Sequence, residues 1–493
     1  MNFIFYDFET SGTVRYFDQI LQAAAICTDE NLVIKEEFDV KCRLRPFSIP
    51  DPGALLVNKI GINTLIGANK THYEMITEMQ KKFREWSQNG AHFCGYNSLY
   101  FDEEFLRQSL YQTLQPVFLT NTSGNDRGDI LKVLHSASCV AEPNDFKYSY
   151  NDKGNKSFKL SDFASANGIQ FNAHIALEDV RATIKVAKII KDRLPQVWES
   201  AVKCMSVQNV KDMLRNEDYF LMSYFISGKH YPFGVTYVTN NDTQGANDKD
   251  VVVLDLMHDP KDLAKLGIDK IKHYLDPPRT ERKKYFRRIQ INKHHILLNK
   301  EYVLKQDKYK DIGDSMLMER VRFIKENNTL REKVKLALSE IQEEKNKEKT
   351  FNQERLEPEQ KIYSGGFPTK EVQATTAKFH KLLWEERFEI VDKIADDRYR
   401  QFAIRLIYEQ DKNLLPRNLS DAYEHEYAKK LTEKDGIANS DYRTISMARN
   451  TIDNYREKAE NMGADEKAEL LAELEKMDKF LSDLEDQYQG MLQ

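Results

Sequence analysis

Cysteine is scarce in this 493-residue chain, and none of Cys27, Cys42, Cys94, Cys139 and Cys204 belongs to a CxxC pair or a tandem metal spacing. The scarcity argues against a disulfide scaffold or thiolate metal cluster and predicts reduced thiols in a cytoplasmic protein. No apolar run is long enough to span a bilayer, so no membrane partner is expected. The opening MNFIFYDFETSG has no basic stretch and carries Asp7 and Glu9, so a signal peptide is not expected. No internal repeat recurs at solenoid spacing. An excess of positive charge is missing too: 73 Lys and Arg face 78 Asp and Glu, for a formal net charge of −5. Any binding of nucleic acid must then rest on local basic surface, because phosphates respond to local potential.

What is present is an ordinary folded composition, 41% hydrophobic and 11% aromatic. The length suits roughly two to four domains. Residues 1–195 read as α/β. Strands are expected at 2–8, at 19–27, at 33–42 and at 91–96, and helices at 73–86, 102–111, 159–167 and 177–190. Residues 196–350 read as a small β-rich domain with helical insertions. Its strand-like runs are 235–239, 251–256 and 289–298, with a polar turn at 240–249. A helix followed by a charged tract fills 320–361. Residues 356–493 read as helical. The stretch 468–491 places Leu470, Leu471, Leu474, Met477 and Leu481 on one side, a pattern too short for a coiled-coil seam. It is expected to pack within a monomer.

Asp7 and Glu9 stand two apart on a predicted strand, so their side chains project to the same face. Carboxylates placed so closely repel unless a cation neutralises them, and hard oxygen ligands favour Mg²⁺ or Mn²⁺. A D-x-E pair by itself is more often a solvated strand end. Further on, Gly95-Tyr96-Asn97 closes a predicted strand and Phe101-Asp102 opens a helix anchored by Phe105. Asp102 alone reads as an acid favoured in a first helical turn. His174 and Asp179, five residues apart, alone read as a surface histidine beside another helix-start acid.

In order, D-x-E, N-x3-FD and H-x4-D resemble the motifs of the DEDDh 3′–5′ exonuclease family across residues 1 to about 190. The resemblance implies that Asp7, Glu9, Asp102 and Asp179 are metal ligands and that His174 is the general base. It implies substrate contacts at Glu9, Thr10, Asn97, Phe101 and Lys159, with the Ser11-Gly12 turn where a 3′-terminal nucleotide approaches. Two Mg²⁺ ions, replaceable by Mn²⁺ and about 3.5–4 Å apart, can serve both ends of an in-line displacement. Histidine titrates near neutrality and suits the proton transfer.

Similarity continues beyond these motifs. SFKL (157–160), ANGI (166–169), NAH (172–174), PDPGAL (50–55), INK (291–293), KIYSGGF (361–367) and the segment 398–416 are similar to the bacterial exodeoxyribonuclease I branch of the family. This implies an RNase H-like nuclease domain, an SH3-like middle domain and an all-α C-terminal domain around a groove for single-stranded DNA. It also implies processive 3′→5′ digestion to 5′-mononucleotides in DNA repair and recombination. Docking of the acidic C-terminal tail of single-stranded-DNA-binding protein is implied as well. Lys159 stands where the family commonly has Arg; the charge is kept and the bidentate fork is lost. The turn 240–249 and the tail beyond about 432 have no recognisable counterpart.

The stretch 279–300 interleaves Lys283, Lys284, Arg287, Arg288 and Lys293 with Tyr285 and Phe286. Cations tracking a backbone with rings for stacking suit single-strand binding, and the family resemblance favours a DNA path over a solvated basic face. Tyr224, Phe225, Tyr231 and Phe233 read chiefly as core. Two other functions fit parts of the pattern. A DEDDh exoribonuclease fits the motifs but not the extra domains, and a catalytically silent single-strand-binding scaffold does not explain the complete acidic set.

Overall fold

Strand β1 (Asn2–Thr10) is apolar on both faces, and Phe3, Ile4, Phe5, Tyr6 and Phe8 are all buried. Such a strand belongs at the centre of a sheet covered by helices. The computed structural model, which describes residues 1–241, 249–278, 285–350, 356–433 and 442–493, places it there. The sheet order is β3-β2-β1-β4-β5, with β2 (Ile20–Thr28) and β3 (Ile34–Lys41) forming antiparallel pairs. On the other side β4 (Ala91–Gly95) and β5 (Asp126–Asp129) run parallel to β1. This is the RNase H-like arrangement expected. The sequence does not signal β5, because DRGD has no apolar alternation.

The main helices of this part are α1 (Pro52–Asn58), α2 (His72–Trp86), α3 (Asp102–Gln112), α4 (Ile130–Val140), α5 (Leu160–Ala166) and α6 (Ala176–Arg193). Thr71 and Glu74 form a capping box that fixes where α2 starts. Helix α6 lies against β1 and β2 and so carries its first turn to the C-terminal end of β1.

The middle of the chain forms a small antiparallel sheet, in line with the SH3-like expectation. Its order is β6 (Phe220–Ile226), β7 (Lys229–Asn240), β8 (Asp250–Asp255), β9 (Phe286–Gln290). Strand β6 is additional to the three expected. The run 289–298 is corrected: β9 ends at Gln290, the chain turns at His294 with φ 52°, and only an isolated bridge joins Leu298 to Leu221. Ile296, Leu297 and Leu298 look strand-like because they are apolar, but they are buried as core residues. The His294 ring sits inside the first sheet's edge, accepting the Asp129 N–H at 2.9 Å and bonding the Ala201 carbonyl at 2.9 Å. Residues 242–248 of the expected polar turn lie outside the described residues.

Helix α7 (Asn328–Thr350) precedes the helical part, whose main elements are α8 (Asp397–Gln410), α9 (Arg417–Thr432), α10 (Ile445–Ala459) and α11 (Ala464–Leu492). Their core is shared with the first part: Leu21, Phe47, Leu55, Tyr73 and Tyr111 pack with Phe402, Leu406, Leu474, Met477, Leu481 and Tyr488. The apolar side of α11 is therefore used internally, as its pattern predicts.

At the start of α3 the three parts are tied together. Glu103 is fully buried and accepts from Tyr6 Oη (3.0 Å), Thr120 Oγ1 (2.7 Å), Arg107 Nε (2.7 Å) and Arg127 Nη1 (2.9 Å). Burial would raise its pKa, but Arg127 and Arg107 pull it below the usual carboxylate range. Arg127 reaches the Asn292 carbonyl of the middle part at 3.4 Å, and Arg107 reaches Tyr363 Oη of the last part at 3.3 Å. Removing one partner of such a buried set strands the others. Glu103→Ala should cost about 3–5 kcal/mol of stability in urea denaturation, and Glu103→Gln less, because most bonds survive. Equal, small losses for both variants would show that the arginines do not depend on this charge.

Candidate active site

The carboxylate oxygens of Asp7, Glu9 and Asp179 lie within 4.8 Å of one another. Alternation along β1 puts Asp7 and Glu9 on one face, as the spacing predicts, and the first turn of α6 supplies Asp179. The β1–β2 register shifts between Glu9 and Thr10, so a one-residue irregularity in the pairing falls directly after the site. Asp102 joins from α3: its Oδ1 accepts the Phe8 N–H at 3.1 Å, between the two strand acids. It stands beside this trio rather than within it.

Burial dominates the electrostatics. It raises Asp7 to about 7, with Asp179's charge adding to the effect. Glu9 is raised to about 8 by burial, then by Asp7 and Asp179, with Lys41 opposing. Asp179 rises to about 6 through burial, against the lowering effect of the His174 N–H. Burial and then Asp7 hold Asp102 well above the ordinary carboxyl range. Four acids forced together, all offering hard oxygen, suit a divalent cation, and these residues fit that role.

The remaining expected residues are placed less uniformly. His174 is exposed on the loop before α6 in a left-handed conformation (φ 66°), and its N–H donates to Asp179 Oδ2 at 3.1 Å. Its backbone is thus tied to the site while its ring faces solvent. Asn97 is exposed with φ 61°, a conformation asparagine tolerates, and its N–H donates to Asp129 Oδ1 at 2.9 Å. Thr10 is buried, with Oγ1 donating to the Gly12 carbonyl at 2.7 Å. Phe101 packs on Phe105 and lines a cavity of about 280 Å³ with Arg15, Tyr16 and Tyr100. Lys159 is exposed at the start of α5; Phe158 before it is buried, its carbonyl accepting from Tyr96 Oη at 2.5 Å.

The basic stretch of the middle part needs correction. Lys283 and Lys284 lie outside the described residues. Arg287 and Arg288 are neighbours on β9 and point to opposite faces, so they cannot line one groove together. Arg287 lies 3.2 Å over the Phe233 ring and 3.9 Å from Asp255, and Arg288 pairs with Asp250. Both charges have internal partners. Lys293 instead reaches the nuclease part, 3.5 Å from Glu104 and 5.1 Å over Tyr100.

Three residues without a motif also belong to this region. Tyr100 is 58% exposed and carries Lys132 over its ring at 4.8 Å as well as Lys293. Asp129 is buried, with Oδ1 accepting from Asn97 and Leu131. Only the N-x3-FD context hints at Tyr100; nothing in the sequence marks Asp129 or Lys132.

Comparisons with known proteins agree with this geometry. Residues 4–187 match the Exonuclease (RNase_T) family model. The chain is 28% identical over 386 residues to exodeoxyribonuclease I of Buchnera aphidicola subsp. Acyrthosiphon pisum, covering 75% of this chain and 88% of that protein. E. coli exonuclease I in complex with a dA16 oligonucleotide has the same fold at 19% identity, with TM-score 0.77 over 98% of this chain and 99% of that one. An ExoI/SSB-Ct complex gives TM-score 0.73 at 18% identity, over 98% and 99%.

The raised carboxyls set a pH dependence for cation binding. Protons compete with the metal, so affinity for Mg²⁺ or Mn²⁺ should rise steeply as pH passes from about 6 to about 8, the range of Asp179, Asp7 and Glu9. Folded-state pKa values above the unfolded ones mean the neutral acids stabilise the metal-free fold at low pH, and that stability is lost as pH rises through 6–8. Calorimetric titration in buffers of different ionisation heat, with melting curves at each pH, reads both effects. A pH-independent affinity with no proton release would remove these acids from the metal site.

Proposed function

We propose, for a chain that carries an exonuclease domain at residues 4–187 and resembles bacterial exodeoxyribonuclease I over most of its length, that it degrades single-stranded DNA. It does so processively from the 3′ end, releasing 5′-mononucleotides, in DNA repair and recombination in the cytoplasm. The observation that carries this reading is the convergence of Asp7, Glu9 and Asp179, with Asp102 alongside, at the end of the central strand. A catalytically silent binding protein has no use for four acids crowded at such cost. We read the units as 1–195 for hydrolysis, 196–350 for guiding the strand and 356–493 for closing the groove.

Asp7, Glu9, Asp102 and Asp179 hold two Mg²⁺ ions, or Mn²⁺ in their place. When bound, these ions supply a nucleophile active at neutral pH and charge balance for the leaving 3′ oxygen. His174, tethered to Asp179 through its backbone and open to solvent through its ring, takes the proton of the attacking water. Thr10 and the Ser11-Gly12 turn border the terminal nucleotide, Asn97 and Phe101 its base and sugar, and Lys159 a phosphate. Lys293 and Tyr100 lie on the strand's path. The acidic tail of single-stranded-DNA-binding protein is the protein partner that the resemblance implies.

Asp7→Ala or Asp179→Ala should abolish hydrolysis by several orders of magnitude while the melting curve stays native or rises, because the missing group acts on charge developed in the transition state. His174→Ala should slow turnover by about 10²–10⁴-fold with little change in DNA affinity. Labelled single-stranded DNA, duplex DNA and RNA, each with Mg²⁺ and with chelator, form the assay. Faster cleavage of RNA than DNA would favour the exoribonuclease reading. Near-native turnover by Asp7→Ala would end the nuclease assignment of this site.

Tyr100, with two ammonium groups over its ring, suits base stacking beside a phosphate path. In an Asp7→Ala background, Tyr100→Ala should weaken single-strand binding by about 1–3 kcal/mol. Lys293→Ala should lower the salt slope of binding by about 0.7. Fluorescence anisotropy across a salt series measures both, and unchanged affinity and slope would take this cluster off the DNA path.

A further inference from the structure

The turn that follows Glu9 is held at several points. The Ser11 N–H donates to the Gln19 carbonyl (2.9 Å), the Asp51 N–H to the Ser11 carbonyl (2.7 Å) and Asn58 Nδ2 to the Thr10 carbonyl (2.8 Å). Asp18 lies inside this set with its side chain only 4% exposed, accepting from Ser11 Oγ at 3.0 Å and from the Val14 N–H at 2.9 Å. A buried carboxylate needs a counter-charge, and this one comes from the far end of the chain.

Arg443, just ahead of α10, donates Nη1 to Asp18 at 2.7 Å and to the Ile49 carbonyl at 3.1 Å, and Nη2 to Asp51 at 3.3 Å. Tyr442 beside it packs on Phe17, ring centroids 4.1 Å apart. Gly12 makes this approach possible. A Cβ there would stand 2.3 Å from Asp18 Oδ2 and 2.7 Å from Arg443 Nη2. The glycine is required for space, which shows the guanidinium seated against the turn itself rather than on a distant surface. A planar fork can serve three acceptors at once, and an ammonium cannot match that geometry.

We propose that Arg443 is a positioning residue for hydrolysis: seated over Gly12, it fixes the 10–18 turn against segment 49–51 and so sets the edge of the site that receives the 3′-terminal nucleotide. The proposal rests on the nuclease reading above. It gives a task to the tail beyond 432, which the sequence motifs alone leave unassigned. Arg443 touches no reacting atom; it acts through Ser11, Gly12 and Asp18.

The test uses the full chain, Mg²⁺ and an oligonucleotide of a few residues, so that groove contacts do not contribute. Arg443→Ala should lower kcat/KM by about 10–100-fold at a temperature well below its melting point, since small misplacements at a reacting centre are costly. Guanidinium ion at millimolar concentration should restore much of the loss in Arg443→Ala and none in Arg443→Lys, where the ammonium blocks the seat. Asp18→Asn, which keeps its shape, should show the same defect, and combining it with Arg443→Ala should add little. If Arg443→Ala does not fold, Asp18→Asn carries the test alone. Native kcat/KM in these variants overturns the proposal. So does a loss that follows the melting temperature and is not restored by guanidinium, because that describes a brace. A wild-type protein inactive on single-stranded DNA defeats the nuclease reading first, and this proposal with it.

Discussion

Four acids held close together at the end of one strand are the constraint to which the rest of the structure answers. Asp7, Glu9, Asp102 and Asp179 come from three elements, β1, α3 and α6, and each would be better solvated elsewhere. Burial pushes all four upward in pKa, so without a cation the fold keeps them together against both desolvation and mutual repulsion. Such a concentration persists only where surrounding structure over-determines it. Here that structure is a strand apolar on both faces, covered by helices, whose register cannot slip by one residue without turning Asp7 and Glu9 into the core.

The start of α3 shows how the other parts of the chain are drawn into this task. Successive helical residues point about 100° apart. Asp102, Glu103 and Glu104 therefore face three directions. Asp102 meets β1, Glu103 meets the buried arginines, and Glu104 meets Lys293 of the middle part and Tyr363 of the last part, the latter at 2.7 Å. An acid-rich first turn suits the helix dipole, and that bland reason is also true. Its further effect is that one helix end positions a candidate ligand and receives both flanking parts. Arg443 repeats the principle on the other side of the site, where a residue 425 positions from Asp18 supplies its counter-charge. The site is built by one segment and braced by all of them.

Local pattern made much of this legible. The D-x-E spacing, the Phe101-Asp102 helix start and the five-residue step from His174 to Asp179 each have a short-range cause, and the structure brings three of those acids together with the fourth adjoining. The apolar side of α11 was readable for the same reason. What the sequence could not show depends on distant partners. Arg287 and Arg288 look like free cations until Asp255, Phe233 and Asp250 are known to lie across the sheet. The run after Gln290 is apolar enough for a strand, yet a histidine in a left-handed turn directs it into another core. Asp129, Lys132 and Arg443 sit in no motif; only the folded chain gives them neighbours.

The low net charge acquires a meaning once the cations are placed. Many are neutralised by internal partners: Arg107 and Arg127 by Glu103, Arg405 by Glu359, Arg443 by Asp18. A phosphate backbone is therefore not attracted by the molecule as a whole, and at the carboxylate cluster itself it is repelled until the cluster's charge is balanced. Attraction has to come from the sides. Lys132 and Lys293 lie over the ring of Tyr100, with Lys293 also paired to Glu104, and Lys159 stands exposed at the start of α5. On the function proposed above, the ring of Tyr100 would hold a base without selecting a sequence, while these cations would keep the backbone near the acids. A strand with one free end and unstacked bases can use such a surface, whereas a stiff duplex, with its bases already paired, offers the rings nothing to hold.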